Sequence, residues 1–109
     1  MSLSIRAYPE TIRSLAFGAF VGGYNALGTP FDHPIRLLKV VNRTDVDLDV
    51  SFDGVTDHDI ITANSFYLYD VSSNRDATAE EWYFAKGTQI YVQGAPTTGS
   101  VYLVVYYGR

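Results

Sequence analysis

Between Val46 and Phe52 the chain alternates with period two: Val46, Leu48, Val50 and Phe52 fall on one parity, Asp47, Asp49 and Ser51 on the other. Successive residues of a strand point to opposite faces, so this segment reads as one strand with an apolar side in a core and a wet side carrying carboxylates. Comparable β-rich segments predict strands at Leu3–Tyr8, Ile12–Val21, Tyr24–Leu27, Ile35–Val41, His58–Thr62, Ser65–Val71, Thr88–Gln93 and Val101–Tyr107. Turn formers separate them, in "GTPFDHP", "NRTD", "FDGVTDH", "SSNRDATAEE" and "GAPTTGS". Convincing helical periodicity is absent, and only Ala77 to Trp82 suits a helical turn. The pattern predicts an all-β chain, a single antiparallel β-sandwich of jelly-roll or Greek-key type with about eight or nine short strands, an open barrel being the rival.

Two segments raise the question of what covers their outer faces. In "SVYLVVYYG" Val101, Leu103, Val105 and Tyr107 point one way and Tyr102, Val104 and Tyr106 the other, so neither side is polar. A strand this apolar is expected to be central or covered, since a bare one invites aggregation. The second case concerns register. A tight loop at Asn42, Arg43 and Thr44 would pair Val41 with Asp45, Lys39 with Asp47, Leu38 with Leu48 and Leu37 with Asp49. Ile35, Leu37 and Val41 would then share a face with the acidic row Asp45, Asp47 and Asp49, a mixture that a second layer or partner subunit would cover.

Length and charge narrow the picture. The 109 residues suit one domain spanning 1–109, and with no cysteine there is neither a disulfide framework nor a thiolate metal site. A net charge of -4 without a basic run argues against a general nucleic-acid binder. No apolar stretch approaches the roughly 18–20 residues of a membrane span. The run Leu15 to Gly23 imitates a signal sequence behind Arg6 and Arg13, but its glycines and the preceding Pro9 and Glu10 speak against that reading. Charge is segregated: six of the twelve acidic residues lie between Asp45 and Asp59, where no Lys or Arg occurs.

Candidate chemistry is sparse. Carboxylates at i and i+2 of a strand stand about 7 Å apart, too far to clasp one ion easily, whereas the loop "DGVTDHD" with Asp53, Asp57, His58 and Asp59 offers a weak cation candidate. It lacks the spacing of an EF-hand, and Asp-Gly is above all a turn signal. His33 and His58 are too few for a zinc site, and no nucleophile elbow or other catalytic signature occurs. Neither a catalytic residue nor a cofactor is expected. "NRT" at Asn42 matches a glycosylation sequon but reads as a turn whose Asn tolerates left-handed geometry.

The segments "RAYPETIRSLAFGAF", "VVNRTDVDLDVSFDGVTDHDII", "FYLYDVSSN" and "GTQIYVQGAPTTGSVYLVVYYG" resemble a family of small virion structural proteins encoded among the head and tail genes of tailed bacteriophages. The resemblance covers nearly the whole chain. It implies an all-β building block without an active site, assembled in the bacterial host cytoplasm and localised to the virion, with phage capsid or tail proteins as partners and a homo-oligomer in the particle. A capsid decoration or cement subunit is the leading expectation, and a head-to-tail or tail ring component the alternative. Nine tyrosines suit interfaces. They leave a carbohydrate-binding module as a reading from another class, in which Trp82 would stand exposed beside other aromatics. The candidate interface comprises Ile35, Leu37, Val41, Asp45, Asp47, Asp49, Tyr102 and Tyr106.

Overall fold

The computed structural model describes residues 7–70 and 84–108. In these, nine strands appear in chain order: β1 (Ala7–Pro9), β2 (Arg13–Ala16), β3 (Asn25–Ala26), β4 (Leu37–Asn42), β5 (Leu48–Ser51), β6 (Asp59–Ile61), β7 (Ser65–Asp70), β8 (Tyr91–Gln93) and β9 (Ser100–Gly108). The second segment ends at Ala16, short of the predicted Val21, where a 3-10 turn at Phe17–Ala19 follows. The outer parts of the Leu3–Tyr8 and Ser65–Val71 segments, and the helical turn expected at Ala77 to Trp82, lie outside the described residues.

Two antiparallel sheets form. The first runs β1-β9-β4-β7, with β2 also on β9; the second runs β3-β8-β5-β6. Tyr8 faces Tyr107 and Pro9 faces Tyr106, while Arg13 faces Leu103 and Ser14 faces Tyr102. Residues 10–12 therefore stand opposite only Val104 and Val105, one residue too many, so β1 and β2 are a single edge strand broken by a bulge. Counting them as one strand, the pairs nest: β1/β2 with β9, β3 with β8, β4 with β7, β5 with β6. That is a long antiparallel ribbon folded over on itself into two layers, the jelly-roll arrangement.

The two layers meet through the parities the sequence displays. Leu38 and Val40 of β4 and Val101, Leu103 and Val105 of β9 face Leu48 and Val50 of β5, Ile61 of β6 and Val92 of β8, all buried. Val46 and Phe52 lie at the margin, partly buried against this core. β9 is central, between β4 and the broken edge strand, which answers the question its two apolar faces pose.

The proposed β4–β5 hairpin does not form. β4 pairs with β7 and β9, so Lys39 faces Leu68 and Val104 rather than Asp47, and the chain crosses from one sheet to the other after Asn42. Asn42 explains the crossing. It is fully buried, and its amide nitrogen donates toward the carbonyls of Val46 (2.9 Å), Ile61 (3.2 Å) and Thr62 (3.1 Å). Its Oδ1 accepts from the backbone N–H (3.0 Å) and hydroxyl (2.6 Å) of Thr44. The residue read as a left-handed turn position instead ties the two layers together. The left-handed position belongs to Asn64, with φ 56°, in the turn between β6 and β7.

Candidate interaction faces

With the inner faces spent on the core, what remains are two unlike outer faces. On the first sheet, cross-strand registers assemble three rows: Ser14, Tyr102, Val41, Phe66; then Val104, Lys39, Leu68; then Pro9, Tyr106, Leu37, Asp70. Phe66 is 60 % and Leu68 57 % exposed, and the half-buried Leu37, Val41, Tyr102, Val104 and Tyr106 continue the patch. Ile12, carried outward by the bulge and 57 % exposed, borders a depression of about 350 Å³ shared with Lys39, Val41, Arg43, Tyr102 and Val104. Its floor is apolar and its two charges are cations. A face this apolar on an outer layer is a candidate contact surface.

The second sheet presents carboxylates. Asp49 stands between Ile60 and Gln93, and Tyr91 lies beside Ala26. Beyond β5 the loop 52–58 is held from within. Asp53 Oδ1 accepts from the backbone N–H groups of Val55 and Thr56, both at 2.8 Å, and from the Ser51 hydroxyl at 2.9 Å. Those hydrogen bonds, the Thr56 N–H first, hold the Asp53 carboxyl well below the usual carboxylate range. Gly54 (φ 80°) turns the chain where a Cβ would press on the Tyr91 ring at 3.2 Å. His58 Nδ1 accepts from the Phe52 N–H at 3.0 Å and so closes the loop. The result is a rigid tip on which Val55 stands 83 % exposed between Asp53 and Asp57. Tyr24 donates to Asp57; desolvation, the Asp57 hydrogen bond and the charges of Asp57, Asp49 and Asp53 push its hydroxyl above the ordinary phenol range.

A third cluster gave no signal in the sequence. Glu10, in the bulge, has a side chain only 4 % exposed; Oε1 meets Arg13 at 2.7 Å and Oε2 meets His33 Nδ1 at 2.8 Å. Arg13 also donates to the carbonyls of Thr29 (2.7 Å) and Pro30 (3.0 Å), and the His33 ring stacks on Tyr107 with centroids 3.6 Å apart. Burial raises the Glu10 pKa, but the Arg13 and His33 contacts outweigh it and leave the carboxyl below its usual range. The cluster staples the bulged edge strand to the 29–34 loop. Its members are consumed by one another, which marks it as structural.

The predicted interface residues are thus divided. Leu37, Val41, Tyr102 and Tyr106 come together on the first sheet's outer face. Ile35 does not belong with them: it is fully buried, bridged to Phe84, because the chain bends at Arg36 and shifts the parity before β4 begins. Nor do the acids share that face. Asp45 accepts from the Thr97 hydroxyl and N–H, and Asp47 from the Ala63 N–H at 2.9 Å, so both cap loops, while Asp49 sits on the opposite layer. The residues that sequence reasoning missed, Ile12, Phe66, Leu68 and Val55, are lone apolar positions whose exposure depends on pairing partners. Among the described residues no group of three or more His, Cys, Asp or Glu side chains is arranged to hold a metal ion, and Trp82 lies outside them. In comparisons with known proteins, no family model, curated protein or solved structure matches the chain.

Proposed function

We propose that this chain is a non-enzymatic structural subunit of a tailed-phage particle, in the first place a capsid decoration or cement subunit, with a ring position in the neck or tail as the alternative. The observation that carries the reading is the outer face of the first sheet, where Phe66, Leu68, Leu37 and Tyr106 offer apolar surface that a free subunit has no reason to keep. Burying such surface contributes roughly 25 cal/mol per Å² before association costs, so a modest contact repeated by symmetry suffices to seat a subunit. Jelly-roll sandwiches recur among viral structural domains, which supports the reading by analogy of fold alone. The resemblance to small virion proteins points the same way.

The test is retention on particles. Purified particles of the phage that encodes the chain are expected to contain it, and Phe66→Ser with Leu68→Ser, on the β7 side of the face, is expected to lower the amount retained while leaving the fold intact. Particles that lack the protein would end this reading.

A further inference from the structure

The depression on the first sheet and the tip of loop 52–58 are complementary. One is a hollow with Ile12, Val41 and Val104 in its lining and the cations Lys39 and Arg43 beside them; the other is a protruding Val55 flanked by Asp53 and Asp57. We propose that the Val55 loop of one copy seats in this depression of the next, so that the chain assembles head to tail. The inference deepens the structural-subunit reading by naming the neighbour, a second copy of this chain.

Three observations carry it. Charge is matched in sign and placement: two cations border the hollow, and Asp57, with Asp49 and Asp53 nearby, borders the knob. Such complementarity orients an encounter and suppresses wrong pairings. The knob is preorganised, since Asp53 binds the Val55 and Thr56 N–H groups and Gly54 rests on Tyr91, so little loop entropy is lost on docking. Finally, the two features cannot meet within one molecule. Asn42 bonds Val46 and places the end of β4 over the start of β5, whereas Phe52 stacks on Phe84, the bridge partner of Ile35, and places the end of β5 near the approach to β4. Hollow and knob therefore lie at opposite ends and on opposite layers. A contact between unlike patches repeats from copy to copy and closes into a ring or extends as a filament. A ring suits a symmetry axis of a particle.

The experiment measures mass by light scattering on the purified chain over a concentration series, at low and high monovalent salt. The wild type is expected to rise above monomer mass with concentration, and less so in high salt. Val55→Arg and Lys39→Glu are each expected to weaken association by about tenfold or more, and Asp57→Lys likewise, because each sets like charges against one another across the contact. An equimolar mixture of Lys39→Glu with Asp57→Lys restores a matched hollow and knob, so association is expected to return. A wild type that stays monomeric throughout, association indifferent to Val55→Arg, or a mixture that fails to associate when the wild type does overturns the inference. Retention on particles is scored separately: a chain retained but monomeric when pure overturns this contact and leaves the structural role standing, whereas self-association through Val55 by a chain absent from particles does the reverse.

Discussion

Asn42→Ala should be among the most damaging substitutions of a polar residue in this protein. The two amide hydrogens of Asn42 are shared among three carbonyls, and its oxygen accepts two bonds from Thr44, so removal strands up to four hydrogen-bonding protons' worth of pairing at a fully buried site. A buried hydrogen bond contributes about 1 kcal/mol net, and orphaned groups cost somewhat more, which places the loss at about 3–5 kcal/mol. Against a typical domain stability of about 5–15 kcal/mol that is a large fraction. At about 4–8 °C per kcal/mol for a domain near this size, the melting temperature should fall by roughly 12–40 °C. Circular dichroism melts of the wild type and Asn42→Ala measure it. Asn42→Asp sharpens the test, because a carboxylate facing the Val46, Ile61 and Thr62 carbonyls repels them as well as losing the donors. It should be worse than alanine at neutral pH, and the gap should narrow in acid as protonation returns one donor. A melting temperature for Asn42→Ala within about 5 °C of the wild type would refute the assignment of Asn42 as the tie between layers.

Acid should act on Glu10. Its folded pKa lies below 4.5, so its contribution is complete above that pH and is lost as pH falls through the folded value. Glu10→Gln should be less stable near neutrality yet show a shallower acid limb in melting temperature against pH; parallel limbs would count against the cluster. Gly99→Ala should cost about 2 kcal/mol or more, since Gly99 has φ 88° and a Cβ there meets the Arg43 carbonyl oxygen at 2.0 Å; denaturant titration reads it, and an unchanged midpoint contradicts it. Val50→Asp should unfold the chain, burying a charge in the core, whereas Asp49→Asn on the outer face should leave the melting temperature nearly unchanged. Similar melts for those two variants would mean that the register of β5 is wrong.

Strand positions were legible in the sequence because each strand has one face in the core. The alternation of Leu48 and Val50 with Asp47 and Asp49, and of Val101, Leu103 and Val105 with Tyr102 and Val104, survives directly as buried and outer positions. Pairing was not legible from the same signal. Period-two alternation states which side of a strand is buried and is silent about its neighbour, so "NRTD" between two strands looked like a hairpin turn. A buried Asn writes the same letter as a turn Asn. Only the three carbonyls gathered round Asn42 distinguish a crossing between layers from a turn within one.

The outer apolar face was half legible for the same reason. Tyr102, Tyr106, Leu37 and Val41 are apolar on the non-core parity of their strands, and antiparallel pairing of β4 with β9 was enough to bring them together. The acids were placed with them only through the hairpin that does not form. Once β4 and β5 lie in different layers, the same residues separate into an apolar face with Lys39 and Arg43 and an acidic face with Asp49, Asp53 and Asp57. That separation changes what the charges do. Carboxylates beside aliphatics on one face would blur the patch and lower its affinity for any apolar partner, but on opposite layers they leave the apolar depression bordered only by cations and the other face acidic. An excess of acid that looked like a single solvated strand thus gives the chain polarity, and polarity is what the proposed head-to-tail assembly requires and a two-fold dimer does not.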